Sequence, residues 1–597
     1  MTTTTDSTNV TDATAVARDW LAAFGDAASS AASTGDATTL TDLFAPDGWW
    51  KDRLATRWDY TTVEGREKIA ALLTGPDAVP DSLSFTDLTL DPTYLPVEVP
   101  GAWIQAIFTF SHARGTGSGV IRLISDGNTG DWKAFTFYAV LEVLTGHTPT
   151  TGPNRVKGVT HGGTRTQVNW ADWRRSATDY ADHDPQVVII GAGHCGLEVA
   201  AELGQSGVDA LLIERNARVG DNWRKRYHSL VMHDPVHSNH MPYLPFPTNW
   251  PTFTAKDKIG DWFEAYASVM ELNVWTSTEF TGASYDEDAH RWTLTVAHDG
   301  KERTLHPAHI VLATGISGKP SAPCLPGKEK FDGEFLHSSA FRDGADFEGK
   351  KVVIVGASNS AHDIAHDLAE HGVDVTMVQR SSTQVAGSQN MIDVLFEGLY
   401  GEGMDVRHGD LLAGSLPLPV MFQLHRDAAF AEIQRRDADM IEGLKASGYN
   451  FNPIGVQELF HRRGGGYYID VGAAQAIIDG RIRMKSGVEV ADFGPHEVTF
   501  TDGSTMDADA VILATGYGNV RSVIGDLFGE EVRGKVTDIW GVGEDDEMRG
   551  VWRPTGQEGL WVMGGNMFLA RQNARPLALQ IVAAEDRNND AAEGQRP

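Results

Sequence analysis

Val187-Val-Ile-Ile-Gly191-Ala-Gly193-His-Cys-Gly196-Leu-Glu-Val-Ala-Ala-Glu-Leu203 is an apolar strand that runs straight into a G-x-G-x-x-G turn and then a helix. Gly191 permits the tight turn, Gly193 lets the backbone approach a pyrophosphate, and Gly196 lets helix and strand pack closely. The helix N-terminus supplies unpaired N–H groups and a positive dipole end for phosphates. The next apolar run, Ala210-Leu-Leu-Ile-Glu214, ends in an acid 23 residues after Gly191. A carboxylate there accepts hydrogen bonds from a ribose diol.

A looser copy follows at Lys351-Val-Val-Ile-Val-Gly356-Ala-Ser358-Asn-Ser-Ala361-His-Asp-Ile-Ala365, with Ser and Ala in place of the second and third glycines. Its partner run, Val373 to Gln379, ends in Arg380-Ser381 where the first copy ends in Glu. A carboxylate repels a 2′-phosphate and an arginine attracts one through a charge-assisted, bidentate bond. The first unit therefore reads as binding a dinucleotide with a free ribose 2′-OH, and the second as binding NADPH. Two further strands end in Ala-Thr-Gly turns, at Gly315 and at Gly516-Tyr517. These mark crossovers, so the second unit is inserted in the first. A chain with two such sites is most simply a flavoprotein reduced by a nicotinamide.

Outward from this centre, the first 150 residues read as helices followed by strands. Val16, Trp20 and Phe24, with Leu21, form a helical stripe. Leu40, Leu43 and Phe44 start a second short helix, and Gly65 to Leu73 gives a third. Runs at 102–110, 120–124 and 133–144 alternate as strands, with Asp126-Gly127 as a hairpin turn. This order resembles the NTF2-like cone fold. Residues 151–184 are a polar connector with one helix at Trp170 to Tyr180, and residues 390–460 form a mostly helical insertion, amphipathic from Asp427 to Leu444. The insertion either caps a substrate channel or only packs.

Lys plus Arg number 50 and Asp plus Glu 81 in the 597 residues, a formal charge of −31. That acidity disfavours nucleic acid and anionic membrane surfaces as partners. Two cysteines, Cys195 and Cys324, form no CxxC, which excludes a redox dithiol of the thioredoxin-reductase type. They fit a reducing compartment, with one disulfide between them still open. The polar start has no signal-peptide core, and the 590–597 tail reads as frayed; the expected location is the cytoplasm. His228, His233, His237 and His240 lie close in sequence, but Pro235 and Pro242 interrupt any helix that would align them, so no metal is expected.

Phe331-Asp-Gly333-Glu-Phe-Leu-His337-Ser-Ser-Ala-Phe341-Arg342 precedes the second Gly-rich turn. It matches the fingerprint F-x-G-x-x-x-H-x-x-x-[FY]-[KR], and with it the region from about 185 to 585 resembles the class B flavoprotein monooxygenases, on the flavin-containing monooxygenase side. The resemblance implies an α/β fold with two Rossmann-like domains: FAD-binding at 185–347 and 513–597, NADP-binding at 348–512, after the NTF2-like domain 1–150 and the linker 151–184. It implies FAD and NADPH as cofactors, and a C4a-(hydro)peroxyflavin that delivers one oxygen atom of O2. Trp223 lies in a stretch that lines the flavin ring in the family. Gly564-Gly565-Asn566 resembles the segment that returns to the flavin, with Gln572 or Asn573 facing substrate or lying in a plain loop.

His233 stands where most of these enzymes have Asn. That departure resembles the type II branch, which carries an NTF2-like extension, accepts NADH beside NADPH and often performs Baeyer–Villiger oxidation of ketones. The expected substrate is thus a small ketone, with an amine or sulfide as the alternative and a plain NADPH oxidase as a further one. A structural role for His233 also stays open. The sheet face of such cones suggests a homodimer.

Overall fold

The computed structural model describes residues 12–79, 81–127, 130–158 and 168–594, and the chain folds as a mixed α/β protein with several sheets. The N-terminal unit begins with α1 (Ala13–Thr34), capped by Asp12, whose carboxylate accepts from the N–H groups of Thr14 and Ala15. A single turn, Thr38–Thr41, leads into β1 (Phe44–Arg53) and β2 (Tyr60–Glu64), then α2 (Arg66–Thr74). Strands β3 (Thr86–Leu90), β4 (Val97–Val99), β5 (Trp103–His112), β6 (Gly115–Ser125) and β7 (Trp132–Leu144) complete a seven-stranded sheet in the order β2-β1-β7-β6-β5-β3, with β4 beside β5.

Two expectations are corrected here. Two strands precede the third helix, and Phe44 opens β1 rather than a helix. The sheet is mixed, because β1 runs parallel to β7. The β6–β7 connection spans Asp126 to Asp131 as a longer loop, and Asn128 and Thr129 lie outside the described residues. So do 1–11, 159–167 in the connector and the last three residues of the tail, whose 590–594 portion is helical rather than frayed.

Between α1 and the sheet the interior is filled with rings. Phe24 stacks on Phe137 at 4.7 Å between centroids, and Trp50 meets Phe137 at 4.4 Å. Aromatic packing of this kind holds the unit together and occupies the space a ligand would need.

The connector helix α3 (Trp170–Asp179) docks through Arg174 onto Leu272 and Asn273. Then come β8 (Val187–Ile190), α4 (His194–Gln205), β9 (Ala210–Ile213), β10 (Asn273–Trp275) and β11 (His309–Leu312). The chain leaves for a second unit: β12 (Glu334–His337), β13 (Lys351–Val355), α5 (Asn359–Glu370), β14 (Asp374–Gln379), the insertion helices α6 (Ser388–Leu395), α7 (Val406–Gly414) and α8 (Phe430–Arg436), then β15 (Ile482–Ser486) and β16 (Ala510–Leu513). It returns as β17 (Leu560–Val562) and α9 (Met567–Gly594).

The first sheet has the order β10-β9-β8-β11-β17 and the second β12-β16-β13-β14-β15, and every pairing in both is parallel. β8, β11 and β16 are buried on all four residues, as parallel strands covered on both faces require. β12, which carries the fingerprint, is the edge of the second sheet although it precedes residue 348. The stretch from Asp427 to Leu444 is two helices broken at Asp437, whose carboxylate accepts from the N–H of Gly387 and from Asn390.

Candidate active site

Parallel strands gather their C-terminal loops at one edge, and that is where the first Gly-rich turn lies. Gly191 has φ +105°, and a Cβ there would sit 2.8 Å from the carbonyl oxygen of Ala313. A Cβ on Gly196 would lie 2.0 Å from the carbonyl oxygen of Gly191, so helix and strand touch only because the side chain is missing. A Cβ on Gly193 would meet only the Asn222 side chain, at 3.1 Å. Glu214, at the end of β9, is buried; one oxygen accepts from the Ala192 N–H at 3.0 Å and the other from Asn216 N–H at 2.8 Å. The acid is thereby fixed beside the turn, with lone pairs left for a ribose. Trp223 packs on the same core in the short helix Asp221–Arg224, and Gly220 touches Gly260 behind it. These residues fit FAD.

The second turn repeats the geometry with other chemistry. A Cβ on Gly356 would lie 2.2 Å from the Ala514 carbonyl oxygen, and Ala361 is fully buried where the third glycine would be. Ser358 is accommodated because its hydroxyl accepts the N–H of Gly466 at 3.2 Å. Arg380 and Ser381 stand exposed past the end of β14, and Arg380 makes no ion pair among the described residues. An open guanidinium at this strand end fits the 2′-phosphate of NADPH.

The fingerprint is a joint between the two units. His337 Nε2 donates to the Gly516 carbonyl at 3.1 Å, and its ring meets Tyr517. Phe341 is buried against Tyr227 and Phe347, Phe331 packs on Phe335 and Phe493, and Gly333 touches the Asp509 carbonyl. The Arg342 side chain turns back onto the carbonyls of Ser339 and Phe341, while its own carbonyl accepts the N–H of His228 at 2.7 Å. The two Ala-Thr-Gly loops bond directly: Ser321 N–H to the Gly516 carbonyl, and Gly318 N–H to that of Gly518. Both Gly315 and Gly516 have positive φ.

Tyr227 and Asp363 were missed by the sequence reading. The Tyr227 hydroxyl donates to Asp363 Oδ2 at 2.5 Å, linking the flavin-side loop to α5 of the second unit. Burial raises the Asp363 carboxyl above its usual range, while Tyr227 and the charge of nearby His233 oppose the rise. His233 is partly exposed at this joint, on a loop whose next residue, Asp234, is reached by Asn566 at 3.5 Å. The four loop histidines do not converge: His228 faces Asp343, His237 faces Glu402, and His240 accepts from the N–H of Phe246. Among the described residues no group of His, Cys, Asp or Glu is placed to hold a metal.

The return turn closes the site. His194 Nε2 donates to the Gly565 carbonyl at 3.0 Å, and Trp552 Nε1 to that of Gly564 at 2.8 Å. Gly565 has φ +109°. Arg571 grips Asp410 of α7 with two bonds (2.8 and 2.6 Å) and donates to the carbonyls of Ser238 and His240. Gln572 donates to the Tyr400 hydroxyl at 3.0 Å, in the wall made by the insertion. Asn573 is fully buried, accepts from the Tyr60 hydroxyl of the N-terminal unit at 2.9 Å and donates to the Leu569 carbonyl. Both ends of its amide are taken, so it joins two units and does not face a substrate.

The sheet face expected to be free for a second subunit is covered within the chain. Ile107, Val120, Tyr138 and Val140 pack on Leu411 and Leu412 of α7. Arg122 donates to Ser415 at 2.9 Å and Arg407 to Asp91 at 2.9 Å. Lys51, pushed down to about 8 by burial, donates to the Leu416 carbonyl.

The model of the pyridine nucleotide-disulphide oxidoreductases matches residues 188–394. Cys195 is buried and Cys324 exposed, both free, so the chain has no dithiol for disulphide chemistry. The chain is 32% identical over 385 residues to the indole-3-pyruvate monooxygenase YUCCA1 of Oryza sativa subsp. japonica, covering 64% of this chain and 86% of the relative. It is 31% identical over 387 residues to the indole-3-pyruvate monooxygenase YUCCA8 of Oryza sativa subsp. indica, covering 63% and 85%. A flavin-containing monooxygenase from Stenotrophomonas maltophilia superposes with a TM-score of 0.46 at 18% identity, over 67% of this chain and 99% of that one. With the relatives, the two nucleotide-fitting turns and the fingerprint joint together, the chain belongs to the family of flavin-dependent monooxygenases that includes these plant enzymes, and its cofactors are FAD and NADPH.

Proposed function

We propose that this enzyme oxidises ketones to esters or lactones, with the FAD domain at 185–347 and 513–597, the NADP domain at 348–512, and the NTF2-like domain 1–150 acting as a clamp. Bound FAD supplies the two-electron store through which hydride from NADPH activates O2. The overall reaction balances as ketone, O2, NADPH and a proton giving ester, water and NADP+. One oxygen atom enters between the carbonyl carbon and the migrating carbon; the other leaves as water.

The observation that carries this reading is His233 at the joint of the two units, beside Asp363. An imidazole there can donate a hydrogen bond to the oxyanion that forms as the carbonyl carbon is attacked. Tyr227 and Asp363 bond to each other across the same joint. The clamp supports the same reading: the N-terminal unit has a ring-filled interior, and it holds α7, which holds Arg571 near the His233–His240 loop. A closed, dry site prevents loss of the activated oxygen as H2O2. The relatives' names add a carbonyl compound, since indole-3-pyruvate is an α-keto acid.

The test is NADPH consumption by the FAD-loaded enzyme with cyclobutanone and a thioether in parallel, with ester, sulfoxide and H2O2 all quantified. Ester with little H2O2 is expected. His233→Ala should lower ester yield per NADPH by roughly 10- to 100-fold. Sulfoxide alone from the wild type, or an unchanged ester yield in the variant, would defeat the reading.

A further inference from the structure

The stretch from Trp223 to Met232 is stitched into two cores in turn. Trp223 and Met232 pack on the core of the first parallel-sheet unit. Tyr227 and Leu230, between them, pack into the core of the second, with Phe341, Val352 and Ile364. The backbone of the stretch is pinned to the first unit: the Met232 N–H donates to the Thr254 carbonyl at 3.0 Å, and the Lys256 N–H to the Leu230 carbonyl at 3.1 Å. The Tyr227 ring is buried and lies 6.4 Å from that of Phe341 in the fingerprint. A side chain anchored on one unit and buried in the other passes the position of the first to the second, because a packed core yields little.

The same tyrosine makes a bond across the joint. Its hydroxyl donates to Asp363 Oδ2 at 2.5 Å, the length of a hydroxyl held by a carboxylate. Arg226 lies over the Tyr227 ring at 5.7 Å, and Arg226, His233 and His366 are the cationic groups that face Asp363. The covalent paths on either side are short. Asp363 stands two residues past Ala361 on α5, the helix that opens at the second Gly-rich turn. Tyr227 stands four residues past Trp223, and Asn222 beside that residue faces Gly193 of the first turn. Other bridges, such as Asp410 with Arg571, run through the helical insertion instead. The Tyr227–Asp363 bond therefore couples the two turns directly.

We propose that Tyr227 and Asp363 are positioning residues for hydride transfer: their bond sets the angle between the two nucleotide-fitting units, so that the nicotinamide meets the flavin. The proposal rests on the assignment of the first turn to FAD and the second to NADPH, and it is independent of which substrate is oxidised. In that step a hydride with its electron pair leaves NADPH, giving NADP+, and reduces the flavin. Reacting atoms must approach to about 3–3.5 Å, so a small rotation of one unit lowers the rate without lowering nucleotide affinity.

The test compares Tyr227→Phe, Asp363→Asn and the double variant, each with its bound flavin as the check of folding. Anaerobic mixing with NADPH gives a limiting rate of flavin reduction and a Kd. Hydrogen exchange on the FAD-loaded enzyme without nucleotide reads the joint at residues 225–234 and 360–366. Each single variant should lower the limiting rate by roughly tenfold, leave the Kd within roughly twofold, and speed exchange in both segments. The double variant should be no worse than the singles. Faster exchange with an unchanged limiting rate would make the bond structural only and overturn the proposal. So would a change confined to Kd, unchanged exchange, or losses that multiply in the double variant. If Gly356→Ala is reduced normally while Tyr227→Phe is still slow, the assignment of the second turn fails and the positioning role stands.

Discussion

The two five-stranded parallel sheets share one plan and differ at three positions. In the first, a glycine at 193 has only the Asn222 side chain before it, a glycine at 196 seats the helix, and the strand ends in buried Glu214. In the second, Ser358 is bonded to a neighbouring segment, Ala361 seats the helix, and the strand ends in exposed Arg380. The difference points to a division we propose: topology places a dinucleotide and the strand-end residue selects which one. On that proposal the buried acid would hold a ribose and the exposed arginine would meet a 2′-phosphate.

The strongest way to break this comparison is to disable each turn separately. Gly196→Val puts a side chain into the Gly191 carbonyl, 2.0 Å from the built Cβ, and should give protein without bound flavin. Gly356→Ala meets the Ala514 carbonyl at 2.2 Å and should keep its flavin while flavin reduction by NADPH slows by roughly 100-fold or more. Flavin retained in the first variant, or normal reduction in the second, would show that the sheets do not divide the work this way.

Arg380→Glu places the first sheet's acid on the second. The KM for NADPH should rise by roughly 10- to 100-fold, with NADH far less affected. Equal effects on the two nucleotides would mean that Arg380 does not meet the 2′-phosphate.

A smaller contrast lies in the two helices. Glu198 of α4 is fully buried with neither oxygen bonded, and burial raises its carboxyl well above the usual range. His362 of α5 is buried against Tyr468 and is pushed down to about 4, mainly by burial. Both groups are thus held uncharged behind their turns, and their stability slopes oppose. For Glu198, folded protein keeps a proton that unfolded chain loses above about 4.5, so its contribution falls as pH rises. For His362, unfolded chain binds the extra proton between about 4 and 6.5, so stability rises with pH across that window. Glu198→Gln should stabilise the protein near neutral pH by on the order of 1–2 kcal/mol and remove the fall. His362→Gln should flatten the acid limb instead. Denaturant melts across pH read both, and unchanged slopes would contradict the protonation states.

What the sequence disclosed was local. Both Gly-rich turns, Glu214, Arg380 and the fingerprint are set by residues near one another in the chain, so spacing alone exposes them. The strand at Phe44–Arg53 escaped because Leu40, Leu43 and Phe44 mimic helical spacing and a register shift between Phe44 and Trp49 hides the alternation. Contacts across more than a hundred residues left no pattern: Tyr60 with Asn573, Arg122 with Ser415, Asp410 with Arg571, Tyr227 with Asp363. Asp363 was visible only as one acid on the second Gly-turn helix. The cover over the N-terminal sheet comes from α7 of the same chain, and no reading of the sheet alone could supply it.

The most direct test of ketone oxidation is to run the FAD-loaded enzyme with NADPH, cyclobutanone and isotopically labelled dioxygen, and to weigh the ester. The account predicts one labelled oxygen per ester and one ester per NADPH consumed. Unlabelled product, or NADPH consumption matched only by H2O2, would contradict it.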